Sequence, residues 1–343
     1  MADRYAEILV VDLLGGIGDL IMLLPAIHGL ARRHPTARLR VLTHEPGAEL
    51  VRVDPAVAEV RTPRHGRPGA ERAAVVEALA ARRPDLAVTT TRYDGIPDLL
   101  LDSGARCVTD LWRRPPPDEP VGARYLRLLH AEGLLTRADL TARPRVRLPA
   151  SARAAGEGDV DRLVAAARRA TAPPVVLVTA AGMAVKRWPD GSWRALAGRL
   201  AAAGHPVLTV GADDDPPGVP LPPGDLPTLA GQIAAVARRG GVVVGPDTGP
   251  VRLAAAAGAT TVGLFGPTDA RRYGVGGLDL QGLPQCPHRR PTAITEQPCW
   301  WEARCPLDAT GPACMADLGV TLVTDAVRAA TRRPSLVWQV PAG

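Results

Sequence analysis

The first twenty residues constrain this chain more than any other stretch. Ile8–Leu13 (ILVVDL) is a short β-branched apolar run that passes directly into the turn Gly15-Gly16-Ile17-Gly18-Asp19. An apolar run without alternation reads as a strand buried on both faces, as in a parallel sheet. Small residues after it let the backbone turn sharply and let a ligand approach the N-terminus of the next helix. A helical pattern follows from Leu20 to about Arg33 and stops before His34-Pro35. Leu39–Thr43 and Leu86–Thr90 are the next strand-like runs, and Leu79–Arg83 ends a helix between them. This β-α-β alternation predicts a doubly wound α/β sheet.

The second half restarts the same pattern. Val175–Thr179, Pro206–Val210, Val242–Gly245 and Thr261–Phe265 read as strands. Trp188–Ala202, entered through Pro189, reads as a helix, as do Leu226–Arg239 and Gly249–Ala257. Thr324–Arg333 reads as a short terminal helix capped by Thr324. The Arg-, Pro-, Ala- and Gly-rich stretch Thr141–Asp159 reads as the interdomain linker. Two α/β domains of similar size, 1–150 and 151–322, suit a chain of 343 residues.

Composition excludes several function classes. Apolar residues make up 46% and charged residues 22%, so a disordered or fibrous chain is ruled out. No apolar stretch reaches the roughly 18 residues of a membrane span. Met1–Glu7 is charged rather than signal-like, which points to the cytoplasm. The net charge is +6, yet the arginines are scattered, and aromatics are only 3%, too few for a base-stacking platform. Nucleic acid is therefore not expected as a partner, and no basic amphipathic helix demands more than peripheral membrane contact. One bias is informative: of 41 basic side chains, a single one is lysine, Lys186. In a chain that uses arginine wherever either residue serves, a lone lysine marks a position to inspect.

Four segments carry chemistry. In Gly15, Gly16, Gly18 and Asp19, the pattern Gly16-x-Gly18 invites a dinucleotide-binding reading, but the third glycine of that fingerprint would fall at Ile21. Asp19, at a helix N-terminus, is either an N-cap or a carboxylate able to take a proton from a hydroxyl. In Lys186-Arg187-Trp188-Pro189, the lysine is a point charge suited to a phosphate oxygen. In Val242–Leu253, Asp247-Thr248-Gly249 turns into a helix whose amides, with Arg252 one turn on, form an anion site. Gly266-Pro267-Thr268-Asp269 is a tight loop after a strand.

Together, and in this order, these motifs resemble glycosyltransferase family 9, typified by the ADP-heptose:lipopolysaccharide heptosyltransferases. The resemblance includes Leu24-Pro25-Ala26 and spans most of the chain. It implies the GT-B architecture, with two Rossmann-like domains facing across a cleft. The N-terminal domain would bind the acceptor and the C-terminal domain the nucleotide-sugar donor, while a C-terminal helix and tail (323–343) cross back to the first domain. It implies inverting, metal-independent transfer without a cofactor, with Asp19 as base and Lys186 stabilising the departing diphosphate. Thr179, Gly182, Met183, Asp213, Asp247, Thr248, Gly249 and Arg252 would join Lys186 on the donor side. The implied donor is ADP-heptose. The acceptor is a saccharide of the lipopolysaccharide-core type or a soluble natural product such as an aminocyclitol. Two departures stand out: Arg252 replaces the family's usual histidine, and Ala180-Ala181-Gly182-Met183 replaces a common His-Pro-Gly.

The alternative functions are an NAD-dependent oxidoreductase and a non-catalytic nucleotide-sugar-binding protein. Cys286, Cys299, Cys305 and Cys314 cluster late in the chain without the tight Cys-x-x-Cys spacing of common zinc sites. Reduced packing cysteines are the expectation and structural zinc the alternative. Trp300 and Trp301 between them either face a sugar or anchor their loop.

Overall fold

The computed structural model describes residues 5–64, 67–112, 114–167, 170–211 and 217–332. The chain divides into two compact units, Met1–Pro149 with Asp225–Pro227, and Ala150–Gly224 with Thr228–Gly343.

The first unit runs β1 (Glu7–Asp12), α1 (Ile17–Arg33), β2 (Arg38–Thr43), α2 (Ala48–Arg52), β3 (Glu59–Arg61) and α3 (Ala70–Ala81). It continues through β4 (Leu86–Thr89), α4 (Ile96–Asp102), β5 (Arg106–Val108) and α5 (Val121–Ala131). Its five strands are parallel, in the order β3-β2-β1-β4-β5. Leu9, Val11 and Ala87 point to the face covered by Val75, Ala78, Ile96 and Leu100 of α3 and α4. The strand order reverses between β1 and β4, which in open α/β sheets is where ligands bind, beyond the carboxyl ends of the strands.

The second unit runs α6 (Ala150–Ala166), β6 (Val175–Val178), α7 (Asp190–Ala202), β7 (Val207–Val210), β8 (Val219–Pro220) and α8 (Leu226–Arg238). It continues through β9 (Val242–Pro246), α9 (Gly249–Ala256), β10 (Thr260–Phe265), α10 (Ala270–Tyr273), β11 (Leu278–Gln281), α11 (Ala313–Ala316) and α12 (Val320–Arg332). Six parallel strands stand in the order β11-β10-β9-β6-β7-β8, with the reversal between β6 and β9. On one face Leu177, Val244 and Leu264 pack under Trp193 and Leu196 of α7 and Val323 and Val327 of α12. On the other, Val176, Val178 and Val243 pack under Val160 of α6 and Ile233 and Val236 of α8. The fold is thus α/β with two Rossmann-like parallel sheets.

Two expectations are corrected. The linker assigned to Thr141–Asp159 is helical from Ala150 onward. Its glycines survive inside α6 because Gly156 lies against α8; a Cβ there would stand 2.2 Å from the Gly231 carbonyl carbon. The terminal helix begins at Val320, so Thr324 does not cap it; the Thr324 hydroxyl donates to the Val320 carbonyl at 2.7 Å inside the helix. Within its own unit, Val323, Ala326, Val327 and Ala330 of that helix are buried against the β9–β10 face and α7. The tail from 333 to 343 lies outside the described residues. Among the described residues no helix is long and apolar enough to cross a membrane.

Candidate active site

In the first unit the turn after β1 is built as its sequence requires. Gly15 has φ of +93°, a left-handed conformation that L side chains avoid. Gly16 is the N-cap of α1, and a Cβ there would stand 2.6 Å from Asp19 Oδ2. Asp19 is therefore not the cap. It lies in the first helical turn, partly exposed, with its carboxylate folded over Gly16 where the helix dipole favours an anion. Gly18 lies in the same turn.

Below this turn sits a second acid that sequence reasoning passed over. Asp12 ends β1 with 2% exposure, and Thr90 Oγ1 donates to its Oδ1 at 2.5 Å. Burial, reinforced by the nearby Asp19 charge, pushes its carboxyl up to about 7 against the Thr90 hydrogen bond. Around it Thr91 Oγ1 accepts from the Leu13 amide at 2.9 Å, and the Tyr93 hydroxyl donates to the Leu13 carbonyl. These contacts pin the turn to the segment following β4.

In the second unit the strand reversal brings together the segments after β6 and β9. Lys186 Nζ donates to Asp247 Oδ2 at 3.0 Å and to the Asp247 carbonyl at 3.1 Å. Arg252 Nη2 donates to Asp247 Oδ1 at 2.5 Å and to the Tyr273 carbonyl at 2.5 Å. Burial alone would raise the Asp247 carboxyl, but the Arg252 and Lys186 charges outweigh it and hold it at about 2. Asp247 is thus a permanently ionised hub between two cations.

The motif Lys186-Arg187-Trp188-Pro189 divides its labour. Trp188 is 1% exposed, donates its indole N–H to the Leu318 carbonyl at 2.8 Å and meets Trp193 edge-on at 4.8 Å. Pro189 is the N-cap of α7, so that helix starts at Asp190 rather than Trp188. Anchored on its C-terminal side, the short segment presents Lys186, whose side chain stays 17% exposed.

Thr248 is the N-cap of α9, but its hydroxyl donates to the Pro246 carbonyl at 3.2 Å instead of capping. Pro250 has no amide to satisfy, and among the described residues nothing accepts from the Gly249 and Val251 amides. Those donors, at the positive end of a helix and beside Lys186, make a turn chemically suited to an anion.

The remaining expected donor residues fall differently. Thr179 is buried just beyond β6, packed so closely to Gly211 that a Cβ at 211 would stand 2.7 Å from its hydroxyl. Gly182 is exposed, while Met183 packs on Val185, Cys299 and Trp300. Asp213 lies outside the described residues. Arg252, expected as a phosphate ligand, is 6% exposed and engaged by Asp247 and the Tyr273 carbonyl. In place of a free histidine the chain has a buried arginine that braces the turn.

The Cys286, Cys299, Cys305 and Cys314 thiols are all free. Burial pushes the Cys314 thiol up to about 12, the state of an unreactive packing cysteine. Among the described residues no three His, Cys, Asp or Glu side chains are grouped so that they could hold a metal ion.

Residues 114–281 match the family model described as glycosyltransferase family 9 (heptosyltransferase). Three solved structures illustrate the fold. A glycosyl transferase family 9 protein from Veillonella parvula DSM 2008 is 14% identical over 96% of this chain and 98% of its own, with a TM-score of 0.71. ADP-heptose lps heptosyltransferase II from E. coli is 16% identical over 95% and 98%, with a TM-score of 0.64. E. coli heptosyltransferase WaaC with ADP-2-deoxy-2-fluoro heptose is 18% identical over 94% and 99%, also with a TM-score of 0.64. No curated protein matches.

Proposed function

We propose that this chain, whose residues 114–281 match the glycosyltransferase family 9 model, is a glycosyltransferase that moves heptose from ADP-heptose to a saccharide-type hydroxyl with inversion. The observation that carries this reading is the Lys186–Asp247 pair beside the open amides of Gly249 and Val251. A diphosphate needs fixed positive charge with free donors, and this turn offers both. The adenine nucleotide and the heptose are carried over from the similar proteins, one of which is bound to an ADP-heptose analogue.

The proposed step is a single displacement. The acceptor oxygen attacks the anomeric carbon as the bond to the diphosphate oxygen breaks. The hydroxyl proton passes to Asp19, and the charge left on the diphosphate is met by Lys186 and the first amides of α9. Inversion follows from attack opposite the leaving group. Lys186 supplies the charge neutralisation for which other transferases use a divalent cation. The acceptor is of the lipopolysaccharide-core type or a soluble aminocyclitol-like compound.

Calorimetric titration with ADP, GDP and UDP tests the donor site. Tight binding of ADP alone, weakened at least tenfold in Lys186→Ala, is expected; equal binding by both proteins removes the reading. Asp19→Asn should keep ADP affinity and lose roughly 100- to 10,000-fold in turnover, the range of a missing general base. Unchanged turnover would remove Asp19 from its role.

A further inference from the structure

Lys186 rests on three supports, and the third comes from a distant stretch of sequence. Two are the carboxylate and carbonyl oxygens of Asp247. The third is the indole of Trp300, over which the Lys186 ammonium lies 5.4 Å from the ring centroid. The ring is fixed: Trp300 is 6% exposed and packs with Val185 and Cys299, flanked by Met183, Ile294 and Ala303. Its neighbour Trp301 is 68% exposed, so the two adjacent indoles have separate surroundings.

We propose that Trp300 is a positioning residue for Lys186, holding the ammonium where a donor diphosphate meets it, and that the cysteine-containing segment after β11 is thereby part of the donor site. The inference rests on the donor-site reading of Lys186. Its chemistry follows from donor counting. An ammonium has three N–H groups, and Asp247 takes two. A second carboxylate would occupy the third and cancel the remaining charge. An aromatic face attracts the cation through its quadrupole and consumes no N–H. The ring therefore fixes the lysine while leaving one donor and the net charge for a ligand. An arginine at 186 would present a planar fork and could not occupy this three-sided seat in the same way, which accounts for the only lysine of the chain.

The test is a double-mutant cycle on ADP binding in the full-length protein, with adenosine as a probe lacking phosphate. Trp300→Leu should weaken ADP binding roughly 3- to 20-fold, the range of a cation–π contact that is partly desolvated. It should leave adenosine binding within twofold. Added to Lys186→Ala it should cause no further loss, because its effect passes through the lysine. Trp300→Phe, which keeps an aromatic face, should lose less than the Leu variant. If the Leu variant does not fold, the Phe variant carries the same cycle, with a smaller loss that vanishes in the Lys186→Ala background. Wild-type ADP affinity in Trp300→Leu, or an equal loss with and without Lys186, overturns the positioning role while leaving the donor-site reading in place. Undiminished ADP binding in Lys186→Ala alone overturns that reading and this inference with it.

Discussion

Two acids, Asp12 at the end of β1 and Asp247 just after β9, are driven to opposite states by what surrounds them. Asp247 faces two cations and stays ionised at about 2. Asp12 faces a hydroxyl and another acid, and titrates near 7. For Asp12 the native state holds its proton from about pH 4 up to about pH 7, where the unfolded chain has already released it. Native stability must therefore fall as pH rises through that window, by up to roughly 4 kcal/mol if the three-unit shift is fully expressed. Urea unfolding at pH 5 and pH 8 should show the loss in the wild type and a much flatter response in Asp12→Asn. A wild-type stability independent of pH across this interval would contradict the buried neutral acid. Asp247 has the reverse sign. Its contribution is present above the unfolded value of 3.8 and is lost as pH falls towards about 2, so it is intact at neutral pH. Asp247→Asn leaves Arg252, 6% exposed, without its counter-charge, at a cost of roughly 3–5 kcal/mol for a broken buried pair. The same change should release Lys186 and weaken ADP binding; a variant of wild-type stability and affinity would show that the hub is dispensable.

Helix by helix, legibility in the sequence followed burial. The central strands β1, β2, β4, β6, β7, β9 and β10 are read from apolar runs because both of their faces are covered. The edge strands β3, β5, β8 and β11 are not read this way: four residues or fewer and partly or fully exposed, they carry no such run. Helix α6 was hidden by Gly156 and Gly158, which lower helix propensity. What tolerates Gly156 there is a tertiary fact, its approach to Gly231 across α8, which no local pattern reveals. The glycine-to-helix turns at Asp19 and Thr248 were legible because few other sequences make that junction. The Asp247–Arg252 pair was not, because closeness in sequence does not say which way the arginine turns; the Trp300 seat was not, because it joins distant stretches of the chain. The α6–α8 approach supplies its own prediction. Gly156→Ala places a methyl 2.2 Å from backbone that cannot yield like a flexible side chain, so the helices must part. A loss of roughly 1–3 kcal/mol in denaturant stability is expected, as for overpacking elsewhere. Gly198→Ala, with nothing within 4 Å of its Cβ and lying inside α7, should instead be neutral or slightly stabilising. Equal effects at the two positions would refute the close crossing.

At the scale of the whole molecule, each unit builds its chemistry in the same way, from segments leaving the carboxyl ends of the two strands that flank its reversal point. In the first unit the result is acidic, with Asp12 at the end of β1 and Asp19 beyond it. In the second it is cationic, with Lys186 and the first turn of α9 around an ionised Asp247. The division suits a transferase that removes a proton from one substrate and stabilises an anion leaving the other. It also sets what metal chelation should do. Lys186 and the α9 amides are covalently part of the chain, so the stabilisation proposed for them at a departing diphosphate would not depend on a dissociable cation. Transfer from ADP-heptose to an acceptor hydroxyl, followed by release of ADP, should therefore proceed in EDTA at a rate within about twofold of that with added magnesium. Lys186→Ala should lose roughly 100- to 1,000-fold, as on removing one preorganised donor to a developing oxyanion. Magnesium should not restore it, since in that variant Asp247 is still held and neutralised by Arg252. Loss of activity in EDTA with recovery on adding magnesium would mean that the leaving group is neutralised by a metal and that Lys186 serves binding alone.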